Sequence, residues 1–119
     1  MKTAFVCLLL AFSACSAIAQ IALEGVGGEL RVLDKVTGEV SDLDLRIGQS
    51  EQVGRLNITL EDCRVPRVNP TGDAYARITV YYSDNISPAF EGWLIASAPA
   101  LHAMDHPRYD IWALRCSTS

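Results

Sequence analysis

Reactive side chains are concentrated near the carboxyl end of the chain, between Phe90 and Cys116. This stretch holds both tryptophans, both histidines and the last cysteine. His102, Met104 and His106 together with Cys116 contain the residue types of a blue-copper site on a small β-domain. Such sites place a His and a Met shortly after the Cys, whereas only 117–119 follow Cys116. The alternative that stays open is a copper(I) or other metal site built from His102, Met104 and His106.

Hydrolytic chemistry has weaker support in the same stretch. A triad could combine Ser97 with one histidine and Asp105 or Asp110, but alanines flank Ser97 where a nucleophile elbow has glycines. A zinc site would need three or four ligands, which the histidines and nearby carboxylates would have to supply. For His106, which precedes a proline, we favour a capped turn whose imidazole bonds to neighbouring backbone or a carboxylate. We therefore predict a chain without catalytic residues or a cofactor.

The amino terminus has the pattern of a secretory signal peptide. A positive start at Lys2 precedes an apolar run and a small-x-small site that ends at Ala19. The apolar run is interrupted too early for a membrane span, which needs about 20 residues. We expect cleavage after Ala19 and a periplasmic location. Lipoprotein processing at Cys15 is a second route, because the residues before Cys15 loosely resemble a lipobox.

Cleavage after Ala19 would leave residues 20–119, the length of one small domain. Only two cysteines then remain, Cys63 and Cys116. An even pair in an oxidising compartment is most simply a disulfide. By the chain-entropy argument, closing so long a loop stabilises the fold by roughly 4 kcal/mol.

The charge balance excludes two classes of partner. The formal net charge is −4, and loss of Lys2 with the signal peptide makes the remaining chain more acidic. Nucleic acid and anionic membrane surfaces attract basic chains or basic amphipathic segments, and this chain has neither. We expect no nucleic-acid partner.

The elements that must position the Phe90 to Cys116 stretch are strands. Alternation of apolar and polar residues predicts strands over 29–34, 42–47, 55–60, 74–82, 90–97 and 109–116. The alternation slips after Leu60, which predicts a bulge near Glu61 and Asp62. Residues 20–28 are rich in glycine and are expected to form a flexible lead-in, while 100–104 could form one short helical turn. The predicted fold is all-β: an antiparallel sandwich or partly closed barrel of about six or seven strands.

The same alternation predicts one outward surface and one core position. One face of the strand over 74–82 carries Tyr75, Arg77, Thr79 and Tyr81, which is either a binding surface or ordinary cross-strand packing. Trp112 alternates in phase with Leu114, so we assign it to the core.

The carboxyl-terminal motifs resemble a known family. They are Gly92-Trp93, Ala96-Ser97-Ala98-Pro99-Ala100-Leu101, the run His106-Pro107-Arg108-Tyr109-Asp110-Ile111-Trp112, and Cys116. With the turn at 33–38 and with Cys63, they resemble the DUF2155 domain, a family of small exported proteins found mainly in alphaproteobacteria and without an assigned function. The resemblance implies export and a Cys63 to Cys116 disulfide, and it transfers no catalytic residue. His102 departs from the family pattern, which weakens the copper alternative.

The sequence therefore predicts three segments, namely a signal peptide over 1–19, the lead-in over 20–28 and a β domain over 29–119. Its predicted role is a periplasmic, non-catalytic binding or accessory module whose partner is another envelope protein. Aromatic side chains dominate the energetics of interfaces. The predicted recognition surface comprises Trp93, Pro99, His106, Tyr109 and Asp110.

Overall fold

A computed structural model describes residues 22–119 of the chain. The predicted signal peptide, its cleavage after Ala19 and the alternative acylation of Cys15 lie outside the described residues.

The described residues form eight strands and no helix. In chain order these are β1 (Ala22–Glu24), β2 (Gly27–Asp34), β3 (Val40–Arg46), β4 (Ser50–Val53), β5 (Leu56–Pro66), β6 (Tyr75–Tyr82), β7 (Phe90–Ile95) and β8 (Tyr109–Ser117). At 100–104, where one helical turn was allowed, the chain makes non-helical turns, with the Leu101 amide donating to the Ala98 carbonyl at 3.1 Å.

Two antiparallel sheets pack face to face. The larger sheet has the strand order β1-β5-β6-β7, and β4 also pairs with β5. Because β5 has 11 residues, β4 pairs with its first half and β1 with its last residues. The smaller sheet has the order β3-β2-β8. The prediction of an all-β sandwich is confirmed.

The core lies between the sheets and follows the predicted alternation. Its members are buried aliphatic side chains at alternate positions of β2, β3, β5, β6 and β8, with one from β7, because one face of each sheet is turned away from water. They include Leu30, Val32, Leu43, Leu45, Leu56, Ile58, Leu60, Ala76, Ile78, Val80, Leu94, Ile111 and Ala113.

A disulfide joins the two sheets. Cys63 on β5 and Cys116 on β8 are bonded, with their Cα atoms 5.7 Å apart and a sequence separation of 53. Both the disulfide prediction and the predicted bulge are confirmed, since the β5 to β6 register shifts between Leu60 and Asp62. The bulge turns Cys63 inward, where it is fully buried.

The described part of the predicted lead-in, residues 22–28, is not the flexible segment that its glycines suggested, because β1 pairs with β5 and β2 begins at Gly27. The Gly25 amide donates to the Cys63 carbonyl at 2.6 Å. A Cβ added at Gly28 would lie 2.8 Å from the Cys63 sulfur. These glycines permit close backbone approach where the chain passes from one sheet to the other beside the disulfide.

Two further differences come from local geometry. Strand β4 starts at Ser50, where a strand break was expected; Gly48 (φ +83°) turns the chain from the smaller sheet into the larger.

The β2 to β8 register shifts between Glu29 and Leu30, leaving one extra residue on β8 before Arg115. This bulge reverses the phase within β8, so the assignment of Trp112 to the core is wrong. Trp112 is half-buried on the outer face.

Candidate functional site

The segment between β7 and β8, residues 96–108, runs back along the open side of the sandwich. It leaves β7 next to Tyr75 and enters β8 at Tyr109, which pairs with Asp34. On the way it contacts Trp93 and Phe90 through His102 and then Tyr82 through His106. We call residues 96–108 the strap, because the segment bridges the edge strands of the two sheets.

Met104 fastens the middle of the strap by entering the core. Its side chain is 3% exposed and belongs to the cluster that includes Leu94 and Ile111. The trio of His102, Met104 and His106, which was the alternative metal site, is therefore divided: Met104 lies in the core, His102 contacts β7 and His106 contacts the start of β8. Among residues 22–119, no three His, Cys, Asp or Glu side chains come together as a metal-ion site.

His102 holds the strap to the free edge of β7. Its Nδ1 lies 3.1 Å from the carbonyl oxygen of Trp93, and a carbonyl only accepts, so Nδ1 carries the proton. The ring meets Phe90 edge-on at 6.1 Å between centroids and covers Gly92. Here the histidine satisfies a backbone group of an edge strand, which would otherwise be open to pairing with another chain.

His106 forms the capped turn that the sequence suggested. Its Nδ1 accepts from the backbone amides of Arg108 at 3.0 Å and Tyr109 at 3.2 Å. The imidazole ring packs against Tyr82 at 4.7 Å and Tyr109 at 5.7 Å between centroids. Through these contacts, the Nδ1 and the ring of His106 hold the start of β8 in place.

Tyr109 is not a surface residue, which corrects its place in the predicted recognition surface. Its side chain is 1% exposed, and its hydroxyl accepts from the Arg55 amide at 3.2 Å. The tyrosine thus spans from β8 to the turn between β4 and β5. The alternation of Tyr109 with Ile111 and Ala113 was the available sign of its burial.

Charged residues anchor the last part of the strap, an arrangement that sequence reasoning missed. Arg108 donates to the Asp34 carboxylate at 2.9 Å. The hydrogen bond from Arg108 lowers the pKa of Asp34 to about 2, outweighing the opposite effect of burial, and amides of the β2 to β3 turn assist. Asp110 lies 3.7 Å from the Lys35 ammonium. Of the predicted surface residues in and after the strap, Pro99 is exposed, while His106 and Asp110 are half-buried.

Ser97 has a carboxylate partner, and that partner is neither Asp105 nor Asp110. The Ser97 hydroxyl donates to Asp73 at 2.7 Å, and its amide donates to the same carboxylate at 3.0 Å. Burial alone would raise the pKa of Asp73, but hydrogen bonds led by that of Ser97 outweigh it and lower the pKa. The hydrogen bonds of both histidines go to backbone groups elsewhere. The triad that the sequence could have supplied is thus not assembled among the described residues. Asp73 and Ser97 instead join the start of β6 to the end of β7.

The outer face of the larger sheet presents Trp93 between two arginines. The guanidinium carbons of Arg64 and Arg77 lie 5.5 Å and 5.9 Å from the Trp93 ring centroid, which is within cation–π range. Trp93, Tyr75 and Ile95 are half-buried and line a shallow depression of about 250 Å³ together with Arg64 and Ala22. We call the surface formed by Arg64, Tyr75, Arg77, Trp93 and Ile95 the Trp93 face.

Ion pairing differs between the two arginines of the Trp93 face. Arg64 is bonded to Asp62 at 2.9 Å. Arg77 is exposed and has no carboxylate within ion-pair distance among residues 22–119. On the outer face of the smaller sheet, Arg31 pairs with Asp42 at 2.8 Å and Arg115 with Glu29 at 3.3 Å.

A comparison with known protein families identifies the family of this chain. The family model described as "Uncharacterized protein conserved in bacteria (DUF2155)" matches residues 28–116. The chain belongs to the DUF2155 family. This confirms the predicted resemblance, and the matched range covers nearly all of β2 to β8, including the two disulfide-bonded cysteines and the strap.

One relative of this DUF2155 protein is an uncharacterised protein of Rickettsia prowazekii (strain Madrid E). It is 29% identical over 93 residues, which are 75% of this chain. The aligned part spans only 59% of the length of that relative. No solved structure matches the chain. In the part of the chain that the structure describes, there is no helix of the length and apolar character needed to cross a membrane.

Proposed function

We propose that this DUF2155 protein is an exported, non-catalytic binding module of the cell envelope and that its contact surface is the Trp93 face. The observation that carries the proposal is an aromatic ring on an open sheet surface with two guanidinium groups within cation–π distance of it. Tryptophan and arginine are the residues most enriched among those that dominate binding energy. The proposed partner is another envelope protein.

The strap is a weaker candidate for the contact surface than the Trp93 face. Its distinctive side chains are used inside the fold: Met104 is in the core, His106 caps a turn and His102 covers a strand edge. Trp93 has no comparable role between the sheets, because it projects from the outer face of β7 opposite Arg77. Its exposed surface remains open to a partner.

Two features support export. The amino-terminal sequence has the charge and apolar pattern of a signal peptide. The Cys63 to Cys116 disulfide suits an oxidising compartment such as the periplasm, since thiols in the cytosol are kept reduced.

A site-specific photocrosslinker tests the contact surface in living cells of the native host. The crosslinking amino acid replaces Glu91, which is exposed two residues from Trp93, or Asp44, which is exposed on the outer face of β3. We expect a discrete adduct from position 91 that Trp93→Ala suppresses, and no such adduct from position 44. Equal adducts from both positions, or an adduct that Trp93→Ala leaves unchanged, would contradict the proposal.

A metal titration tests the alternative function. Because Met104 is buried and the two histidines bond to separate parts of the backbone, the structure does not favour a shared copper(I) site. We expect no stoichiometric copper(I) binding by the purified, disulfide-bonded protein. Stoichiometric binding that is lost in His106→Ala would support the metal-binding alternative in place of the contact module.

A further inference from the structure

The chemistry of the Trp93 face indicates the class of partner. We propose that it binds an extended peptide segment of an envelope protein in which a carboxylate lies next to an apolar side chain. The inference rests on the proposed function and deepens it. The structural basis is an apolar depression that adjoins a guanidinium group without a carboxylate partner among the described residues.

The depression provides the apolar half of the site. Trp93, Tyr75 and Ile95 line it, and Ala22 at the start of β1 closes one side. All three larger side chains are only half-buried, so a ligand side chain placed there removes further apolar surface from water. Such burial favours binding in proportion to the apolar area that it removes from water. A volume of about 250 Å³ in an open depression suits one aliphatic or aromatic side chain.

Arg77 provides the charged half of the site. Its guanidinium lies over the Trp93 ring, so its position is already restricted before a ligand arrives. A guanidinium with free N–H groups binds carboxylate oxygens in a bidentate geometry. Arg64 is less available, because Asp62 already accepts from two of its nitrogens. Arg77 is therefore the group to which we assign the ligand carboxylate.

The surrounding charges favour a single carboxylate over an extended anionic surface. Asp62, Glu24 and Glu91 border the Trp93 face, and the whole chain carries a formal net charge of −4. A membrane surface of anionic lipid would bring many negative charges against these carboxylates, whereas the Trp93 face offers only Arg64 and Arg77 to attract it. One carboxylate placed at Arg77 avoids most of that repulsion.

Two matched peptides test the inference on the purified, disulfide-bonded protein. The first is N-acetyl-leucyl-glutamate amide, and the second is its neutral isostere, N-acetyl-leucyl-glutamine amide. Binding is followed by ¹H–¹⁵N NMR at the Trp93 indole N–H and the Arg77 Nε–H, and the titration is repeated with Arg77→Gln. Arg31→Gln is the matched control, because it removes an arginine from the outer face of the other sheet.

We expect the glutamate peptide to shift both signals with a dissociation constant on the order of 1 mM, as a small ligand on an open site allows. The glutamine peptide should bind about tenfold more weakly, a difference of about 1.4 kcal/mol. Arg77→Gln should abolish this preference, and Arg31→Gln should retain it.

Several outcomes would overturn the inference. Equal affinity for the two peptides, or shifts confined to residues outside the Trp93 face, would remove the role of Arg77. Binding to phosphatidylglycerol vesicles that depends on Arg77 and resists the glutamate peptide would assign the face to lipid headgroups. A crosslink from position 91 without binding of either peptide would contradict the proposed ligand class and leave the proposed contact surface standing. Failure of both experiments removes the proposed function as well.

Discussion

The strap directly follows Trp93 and Ile95 of the Trp93 face in the sequence. Both regions carry side chains that suggest chemistry, yet the fold uses them in opposite ways. In the strap, Met104 is 3% exposed, and the Nδ1 of His106 accepts hydrogen bonds from two backbone amides. On the Trp93 face, the aromatic ring and Arg77 stand on the outer side of the sheet. Residue type alone did not separate the two regions.

The physical reason for the difference is the open side of a small sandwich. Between β7 and β8 the sheets are not closed by strand pairing, so a connecting segment must cover the core and satisfy the exposed strand edge. A thioether fills an irregular gap well, and histidine can bond to backbone groups. Histidine and methionine can therefore cluster for structural reasons alone.

Replacement of Tyr109 should cause the largest loss of stability. Tyr109→Ala removes a ring that is 1% exposed and packs with His106 and Tyr82, and we expect the free energy of unfolding to fall by about 4 kcal/mol. Tyr109→Phe removes only the hydroxyl that accepts from the Arg55 amide and should cost about 1 kcal/mol. Urea unfolding measures both variants. A loss below 1 kcal/mol for Tyr109→Ala would mean that Tyr109 does not hold this end of the sandwich.

Replacement of Met104 should have the next largest effect. Met104→Ala leaves a cavity under the strap, and we expect a loss of about 3 kcal/mol. Met104→Leu conserves the volume and should cost less than about 1.5 kcal/mol. Thermal unfolding of the two variants provides the measurement. If Met104→Ala instead weakened binding at the Trp93 face while stability was unchanged, the division between the two regions would be wrong.

Acidification should loosen the carboxyl end of the strap through Asp34. The Arg108 contact lowers the pKa of Asp34 to about 2 from its ordinary value of 3.8. A carboxyl group whose folded pKa is lowered stabilises the fold above its unfolded pKa, and this contribution is lost as the pH falls from about 4 through about 2. Asp34→Asn should therefore reduce the acid dependence of stability in that window, measured by urea unfolding at several pH values. Identical slopes for both proteins would refute the Asp34 contribution.

Replacement of Arg77 should have the smallest effect on stability. Its side chain is exposed and pairs with no carboxylate among the described residues, so Arg77→Gln should change the free energy of unfolding by less than about 0.5 kcal/mol. The same variant should lose the preference for the glutamate peptide. Unfolding and binding measured on one preparation give both results. A large loss of stability would mean that Arg77, like the side chains of the strap, stabilises the fold.

Much of the fold follows from alternation and cysteine count. The bulge after Leu60, the disulfide and the capped turn at His106 were each predicted from local sequence and are present. Strand β1 was missed because its three residues are ordered by pairing with β5, and three residues carry almost no periodic signal. Trp112 was misassigned because a bulge in β8 is set by its partner strand.

The candidate site was less predictable than the fold. Trp93 was named from its residue type, but its position between Arg64 and Arg77 depends on the register of β5, β6 and β7. The pairing of Ser97 with Asp73 and of Arg108 with Asp34 joins residues that are distant in sequence. Such contacts are fixed by tertiary structure, and no local pattern encodes them.

Because Met104 is buried under the strap, its oxidation depends on local opening of the fold. An oxidant reaches the thioether only when the strap lifts from the core, so the rate of sulfoxide formation in dilute peroxide reports how often this side of the sandwich opens. Once formed, the sulfoxide is polar and returns to the core only at a cost in free energy. Oxidation of Met104 would therefore keep the strap away from the core for longer, and oxidised molecules would accumulate in this open form.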